Sequence, residues 1–171
     1  MTKKTWITAF AFGLPWTIIM IVYSSIVNGA LSTAFVVANL VAGTIGGLLF
    51  AIAMQLAAKR LSNSINIETT SDEKIIKEAG ANHFKGKEGV GGKLVLTNKR
   101  LIFKSHKLNI QNHQESFDLG QIVNVESTKT LRLLNNGLTL ELRGSNKQKF
   151  IVDEPKAWVD TITSQKASAS Q

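Results

Sequence analysis

Seven cations crowd into one stretch of this chain: Lys85, Lys87, Lys93, Lys99, Arg100, Lys104 and Lys107, with Glu88 as the single acid among them. That stretch carries +6, whereas residues 61–84 carry −2 and residues 108–171 carry zero. A concentration of positive charge suits an anionic partner, such as a lipid head group or an acidic protein surface. Near an anionic membrane each Lys or Arg contributes about 1 kcal/mol. The plainer use is a solvated hairpin whose edge lysines discourage strand-to-strand aggregation.

Other candidate chemistry fails on spacing. The segment from Gly86 to Lys93 imitates a phosphate-binding loop, but it is one residue too long and Leu94 stands where Ser or Thr is needed. His83, His106 and His113 have neither helical nor finger spacing, so no metal site is expected. Asp118, Glu126 and Glu141 form no catalytic pair, no nucleophile elbow occurs, and the chain has no cysteine. The expectation is a protein that is not an enzyme and needs no cofactor. Nucleic acid is not expected either. Phe84, Phe103, Phe117 and Phe150 fall on core positions rather than on a wet face that stacks bases.

The elements that position the basic stretch follow from where charge is missing. Within 171 residues, none of the 54 between Lys4 and Lys59 is Asp, Glu, Lys, Arg or His. A soluble domain needs charge on its wet faces. Residues 6–27 and 34–58 are each apolar enough to span a bilayer; 22 helical residues reach roughly 33 Å against a hydrocarbon core of about 30 Å. Asn28 to Thr33 is turn-prone and too short for anything but an antiparallel hairpin. Lys3, Lys4, Lys59 and Arg60 flank the pair while the loop carries no charge, so the positive-inside rule places both termini in the cytoplasm. A cleaved signal peptide is the rival reading; the first apolar stretch is too long for it and a second follows at once.

Small residues recur at four-residue spacing in the second span, with Gly43 and Gly47 as one GxxxG match and Gly46 on the neighbouring stripe. Such residues let helix backbones approach closely. Packing against the first span is preferred; a homo-oligomer is the alternative. Asn39 and Gln55 are the only amides of that span and have no ionisable companion, which argues against a transporter.

Residues 1–60 therefore form a membrane hairpin and residues 61–72 a polar linker. From Lys74 the hydrophobic period changes to two. Strands are predicted over Ile75–Phe84, Lys93–Thr97, Arg100–Lys104, Glu115–Leu119, Ile122–Thr128, Leu138–Arg143 and Lys149–Val152. Gly86–Gly92 reads as a glycine-rich loop, Asn98-Lys99 as a hairpin turn, and Asn135-Asn136-Gly137 as a further turn. Asp153 as N-cap and Pro155 in the first turn predict a final helix with Trp158, Val159 and Ile162 on one face. Residues 166–171 read as a disordered tail.

The run from Gly91 through Thr97-Asn98-Lys99-Arg100-Leu101-Ile102-Phe103 resembles the "G-x-L-x-L-T-N-x-R-L-I-F" core of the GRAM family, a branch of the pleckstrin-homology-type domains. Phe117 to Ile122 and Gly137 to Trp158 are similar to the later parts of that pattern, so the resemblance covers residues 73–165. It implies a partly open barrel of about seven antiparallel strands with a C-terminal helix, behind two transmembrane helices that the family pattern lacks. It also implies binding rather than catalysis. The basic positions that match lipid contacts are Lys85, Lys87, Lys93 and Arg100, with Lys104 beside them. The expected function is a membrane-anchored module on the cytoplasmic face that contacts anionic lipid head groups or a protein partner. The alternative is an oligomer-forming membrane protein, or a regulatory subunit of a membrane complex, without lipid binding.

Overall fold

The computed structural model describes residues 3–29, 32–86, 88–107, 113–130, 134–144 and 146–169. Two compact units make up the chain, Met1–Ala58 and Lys59–Gln171.

The first unit is a helical hairpin. Helix α1 (Lys3–Asn28) and helix α2 (Thr33–Asn63) flank the predicted turn. Ser32 Oγ accepts the Phe35 N–H at 3.2 Å, capping the start of α2. The helices run antiparallel. Gln55 Nε2 donates to Thr5 Oγ1 at 2.9 Å, and Phe12 stacks on Phe50 with ring centroids 4.1 Å apart. Gly43 and Gly47 lie in the seam. A Cβ on Gly43 would overlap Thr17 Oγ1, and one on Gly47 would overlap the Ala9 carbonyl. A Cβ on Gly46 would meet nothing, so that residue is outside the seam. The small-residue stripe is thus used within the chain. Around it, Trp16, Ile18, Ile19, Tyr23, Ile26, Val41, Ile45 and Leu49 are each more than half exposed. Both helices are long and apolar enough to cross a membrane, over Thr5–Val27 and Thr33–Asn63.

The second unit is one seven-stranded antiparallel sheet closed by a helix. Its strands are β1 (Ile75–Lys85), β2 (Glu88–Thr97), β3 (Arg100–Ser105), β4 (Gln114–Asp118), β5 (Ile122–Thr130), β6 (Leu134–Leu142) and β7 (Lys147–Val152). Their order is β4-β3-β2-β1-β7-β6-β5. The sheet curls into a half-barrel. Its two edge strands are joined by the 3₁₀ turn Leu119–Gln121, where Leu119 N–H donates to the Lys99 carbonyl and the Gln121 carbonyl accepts from Arg143. Inward side chains alternate as period two requires: Ala81, Leu94, Leu96, Leu101, Phe103, Phe117, Leu138, Leu140, Phe150 and Val152 form the core. Helix α3 (Pro155–Ala169) packs on β5, β6 and the 3₁₀ turn, and inserts Trp158 and Ile162, both wholly buried.

Four sequence expectations differ from this fold. Helix α2 continues to Asn63, three residues into the expected linker. The segment 86–92 is mostly strand rather than loop: Gly89, Gly91 and Gly92 pair with Phe84, Asn82 and Ala81. Its glycines make room, since a Cβ on Gly92 would overlap the Lys104 carbonyl. Gly137 lies inside β6 opposite Thr128 and not in a turn, and a Cβ there would overlap Thr128 Oγ1. Finally, α3 runs to Ala169, where a disordered tail from residue 166 was expected. Lys166 Nζ donates to the Val123 carbonyl at 3.2 Å and Ser168 Oγ to the Ser164 carbonyl, which ties the last turn down.

Candidate functional site

The basic stretch divides between the two ends of the sheet. Lys99 and Arg100 lie at the β2–β3 connection, next to the chain that enters β1. Arg100 grips Glu73 with two bonds, Nε to Oε1 at 2.6 Å and Nη2 to Oε2 at 2.8 Å. The Glu73 side chain is only 2% exposed, and it also accepts from the Thr70 N–H at 3.0 Å. Arg100 therefore holds the Glu73 carboxyl down at about 2, against an ordinary 4.5, although burial opposes the shift. Glu73 in turn raises the Arg100 guanidinium above its ordinary range. Lys99 pairs with Asp72, whose carboxyl is likewise lowered to about 2 by that bond and by the Thr70 hydroxyl. Asn98 closes the arrangement: its Oδ1 accepts the Lys74 N–H at 2.8 Å, and its own N–H donates to the Lys74 carbonyl. The end of the expected linker is therefore pinned to the β2–β3 turn.

The other predicted contacts have different surroundings. Lys93, with 13% of its side chain exposed, pairs with Glu78 at 2.9 Å. Lys104 donates to the Asn66 carbonyl at 2.8 Å, a partner that leaves its charge unneutralised. Lys85 closes β1 at the opposite end of the sheet, and its backbone alone is described. Lys87 lies outside the described residues. Lys107, just past β3, is exposed at that same end. Of the five predicted cations, then, Lys93 and Arg100 face carboxylates of their own chain, and Lys104 faces a carbonyl.

At the β1–β2 end the inner face turns polar. His83, wholly buried, continues the inward row of Ala79 and Ala81 on β1. Its ring stacks on Phe150 at 4.5 Å and meets Phe103 edge-on at 5.2 Å. Its Nε2 lies 2.8 Å from Gln148 Oε1 and its Nδ1 lies 3.0 Å from His113 Nε2. His113 is fixed by Ser105, whose Oγ accepts the His113 N–H at 2.9 Å and whose N–H donates to the His113 carbonyl at 3.0 Å. Glu115 stands on β4, its Oε1 4.0 Å from His113 Nε2. The polar contacts of His83 join residues 30 and 65 apart, which linear spacing could not reveal. The one sequence signal was parity: Ala79, Ala81 and His83 share a face of β1, which turns His83 toward the core and leaves Phe84, expected at a core position, half-buried on the other face.

The family profile of the GRAM domain matches residues 57–156. No curated protein sequence matches the chain. Among solved structures, the C-terminal domain of an unknown protein from Leishmania infantum is 14% identical with a TM-score of 0.49, covering 72% of this chain and 98% of that one. The Vps36 N-terminal PH domain is 15% identical with a TM-score of 0.49, covering 60% and 85%. The Slm1-PH domain in complex with phosphoserine is 17% identical with a TM-score of 0.44, covering 54% and 96%.

Proposed function

The chain belongs to the GRAM domain family, and from that premise we propose that it is a binding module, not a catalyst, anchored in a membrane by α1 and α2. Its ligand is the anionic head-group surface. Lys85, Lys87, Lys104 and Lys107 make the contact, and Lys93 and Arg100 serve the fold. The observation that carries this reading is the division of the cations. Those at the β2–β3 turn are neutralised by Asp72 and Glu73, while among the described residues Lys104 meets a carbonyl and no carboxylate, and Lys107 is exposed. A contact of about 1 kcal/mol per lysine is weak alone. A tether that already holds the domain at the surface makes it sufficient, because the second contact becomes intramolecular.

The membrane reading rests on the apolar side chains that α1 and α2 leave outward, since nothing in water rewards their exposure. With no native cysteine, single introduced cysteines report topology directly. A membrane-impermeant maleimide should label Ser32→Cys from outside intact cells and Ser168→Cys only after permeabilisation. Equal labelling of both from outside overturns the orientation.

For the head-group contact, residues 59–171 are first checked for a cooperative melt. They are then floated with vesicles of phosphatidylcholine, with and without phosphatidylserine, at about millimolar lipid so that the weak untethered contact registers. Flotation should require the anionic lipid. The Lys85→Gln/Lys87→Gln variant should lose about fivefold in affinity per charge removed. Flotation indifferent to lipid charge sinks the reading and leaves the protein-partner alternative.

A further inference from the structure

We propose that His83, His113 and Glu115 form a binding site for one divalent transition-metal ion of the zinc class. The three side chains offer two ring nitrogens and a carboxylate oxygen, all within 4.8 Å of one another. In tetrahedral coordination with metal–nitrogen bonds of about 2.0–2.1 Å, ligand atoms stand about 3.3 Å apart. The 3.0 Å between His83 Nδ1 and His113 Nε2 and the 4.0 Å between His113 Nε2 and Glu115 Oε1 bracket that value. The widest pair lies within 4.8 Å, so rotation of the Glu115 side chain toward the two imidazoles brings all three donors to one ion.

The surroundings fit a built site. Gln148 Nε2 donates to Asn146 Oδ1 at 3.4 Å, which turns Gln148 Oε1 toward His83 Nε2 at 2.8 Å. An amide oxygen only accepts, so His83 carries its proton on Nε2. In the neutral ring Nδ1 then presents its lone pair toward His113 and Glu115. A ligating histidine whose other N–H is held by an oxygen acceptor is the usual outer support of a metal site, fixing tautomer and ring angle. Phe103 and Phe150 hold the His83 ring on β1 from its edge and its face, and Ser105 holds the His113 backbone just before β4, so both imidazoles are fixed in place. Access is provided on the outer side, where the His113 and Glu115 side chains are 11% and 24% exposed. Two imidazoles with one carboxylate suit zinc, nickel, copper or cobalt, whereas magnesium and calcium prefer oxygen alone. Three protein ligands leave a fourth position for solvent.

The test uses untagged full-length protein in detergent, stripped with a chelator and titrated with zinc chloride and, separately, cobalt chloride. The expected result is one ion per chain, a higher melting temperature with zinc, and the visible absorption of tetrahedral cobalt. Gln148→Leu should weaken binding about 10–100-fold. His113→Gln and Glu115→Gln should weaken it at least as much, and His106→Gln should leave it unchanged. Each variant is melted without metal to confirm that it folds; Glu115→Gln, on the exposed side, decides the matter if His113→Gln does not. Absence of saturable uptake overturns the proposal, and so does uptake that the His113→Gln/Glu115→Gln double variant retains.

Discussion

At the β2–β3 end of the sheet, opposite charges meet and cancel: Arg100 with Glu73, Lys99 with Asp72. At the β1–β2 end, Lys85 closes its strand and Lys107 is exposed, while the face beneath them is lined by His83, His113 and Gln148. The same residue types serve both ends, but with different partners. Where a carboxylate lies within reach, as the enclosed Glu73 does for Arg100 and the exposed Asp72 does for Lys99, a cation is spent within its own chain. At the other end the exposed Lys107 carries its charge into solvent, where it is available to a partner. A local count of lysines and arginines cannot separate these uses; the position of each in the sheet does.

The contrast breaks most sharply at Arg100. Replacing it with Ala leaves the Glu73 carboxylate enclosed without its two-bond partner, and should cost about 2–3 kcal/mol in denaturant unfolding. Arg100→Lys should recover only part, because a lysine cannot make both bonds at once. A loss no larger than that of an ordinary surface substitution would show that the clip is ornamental.

A pH series sharpens the same end. Glu73 and Asp72 ionise in the folded chain at about 2, below their ordinary values of 4.5 and 3.8. Their contribution is complete above the ordinary value and is lost as pH falls toward 2. The melting temperature should therefore drop as the solution is acidified from about pH 4.5. Glu73→Gln should flatten that drop while lowering stability at neutral pH; an unchanged acid limb would mean that other carboxylates set it.

Binding variants should show the opposite pattern. Lys104→Gln should weaken attachment to anionic vesicles about fivefold while changing stability by less than about 0.5 kcal/mol. Lys93→Gln should do least to binding, since Glu78 already offsets its charge, and should cost no more than about 1 kcal/mol in stability. If Lys93→Gln weakens binding as much as Lys104→Gln, pairing within the chain does not decide which cations reach the lipid.

Much of the architecture was legible along the chain because it depends on local pattern. The charge gap marks both apolar helices, alternating side chains mark the strands, and Pro155 with Trp158 and Ile162 marks the last helix. The misreadings occurred where a glycine answers to a neighbour distant in sequence. Gly92 and Gly137 look like turn residues, yet each sits in a strand because another backbone or side chain passes too close for a Cβ. The basic stretch was legible as a concentration of charge. Its division into scaffold and contact was not, because Glu73 lies 27 residues before Arg100 and only the strand order brings them together.

The sequence by itself determined that this protein has two apolar spans with uncharged connection, a sheet of short antiparallel strands with a closing helix, and an excess of positive charge beside its glycines. These follow from composition and period, which each segment carries without its neighbours. Only the tertiary structure decided which charges are spent on one another, that the glycine stripe packs α1 against α2, and that His83 and His113 meet at one end of the half-barrel. Those outcomes depend on the curl of the sheet and the register of its strands, which bring side chains to within about 3 Å of one another across tens of residues.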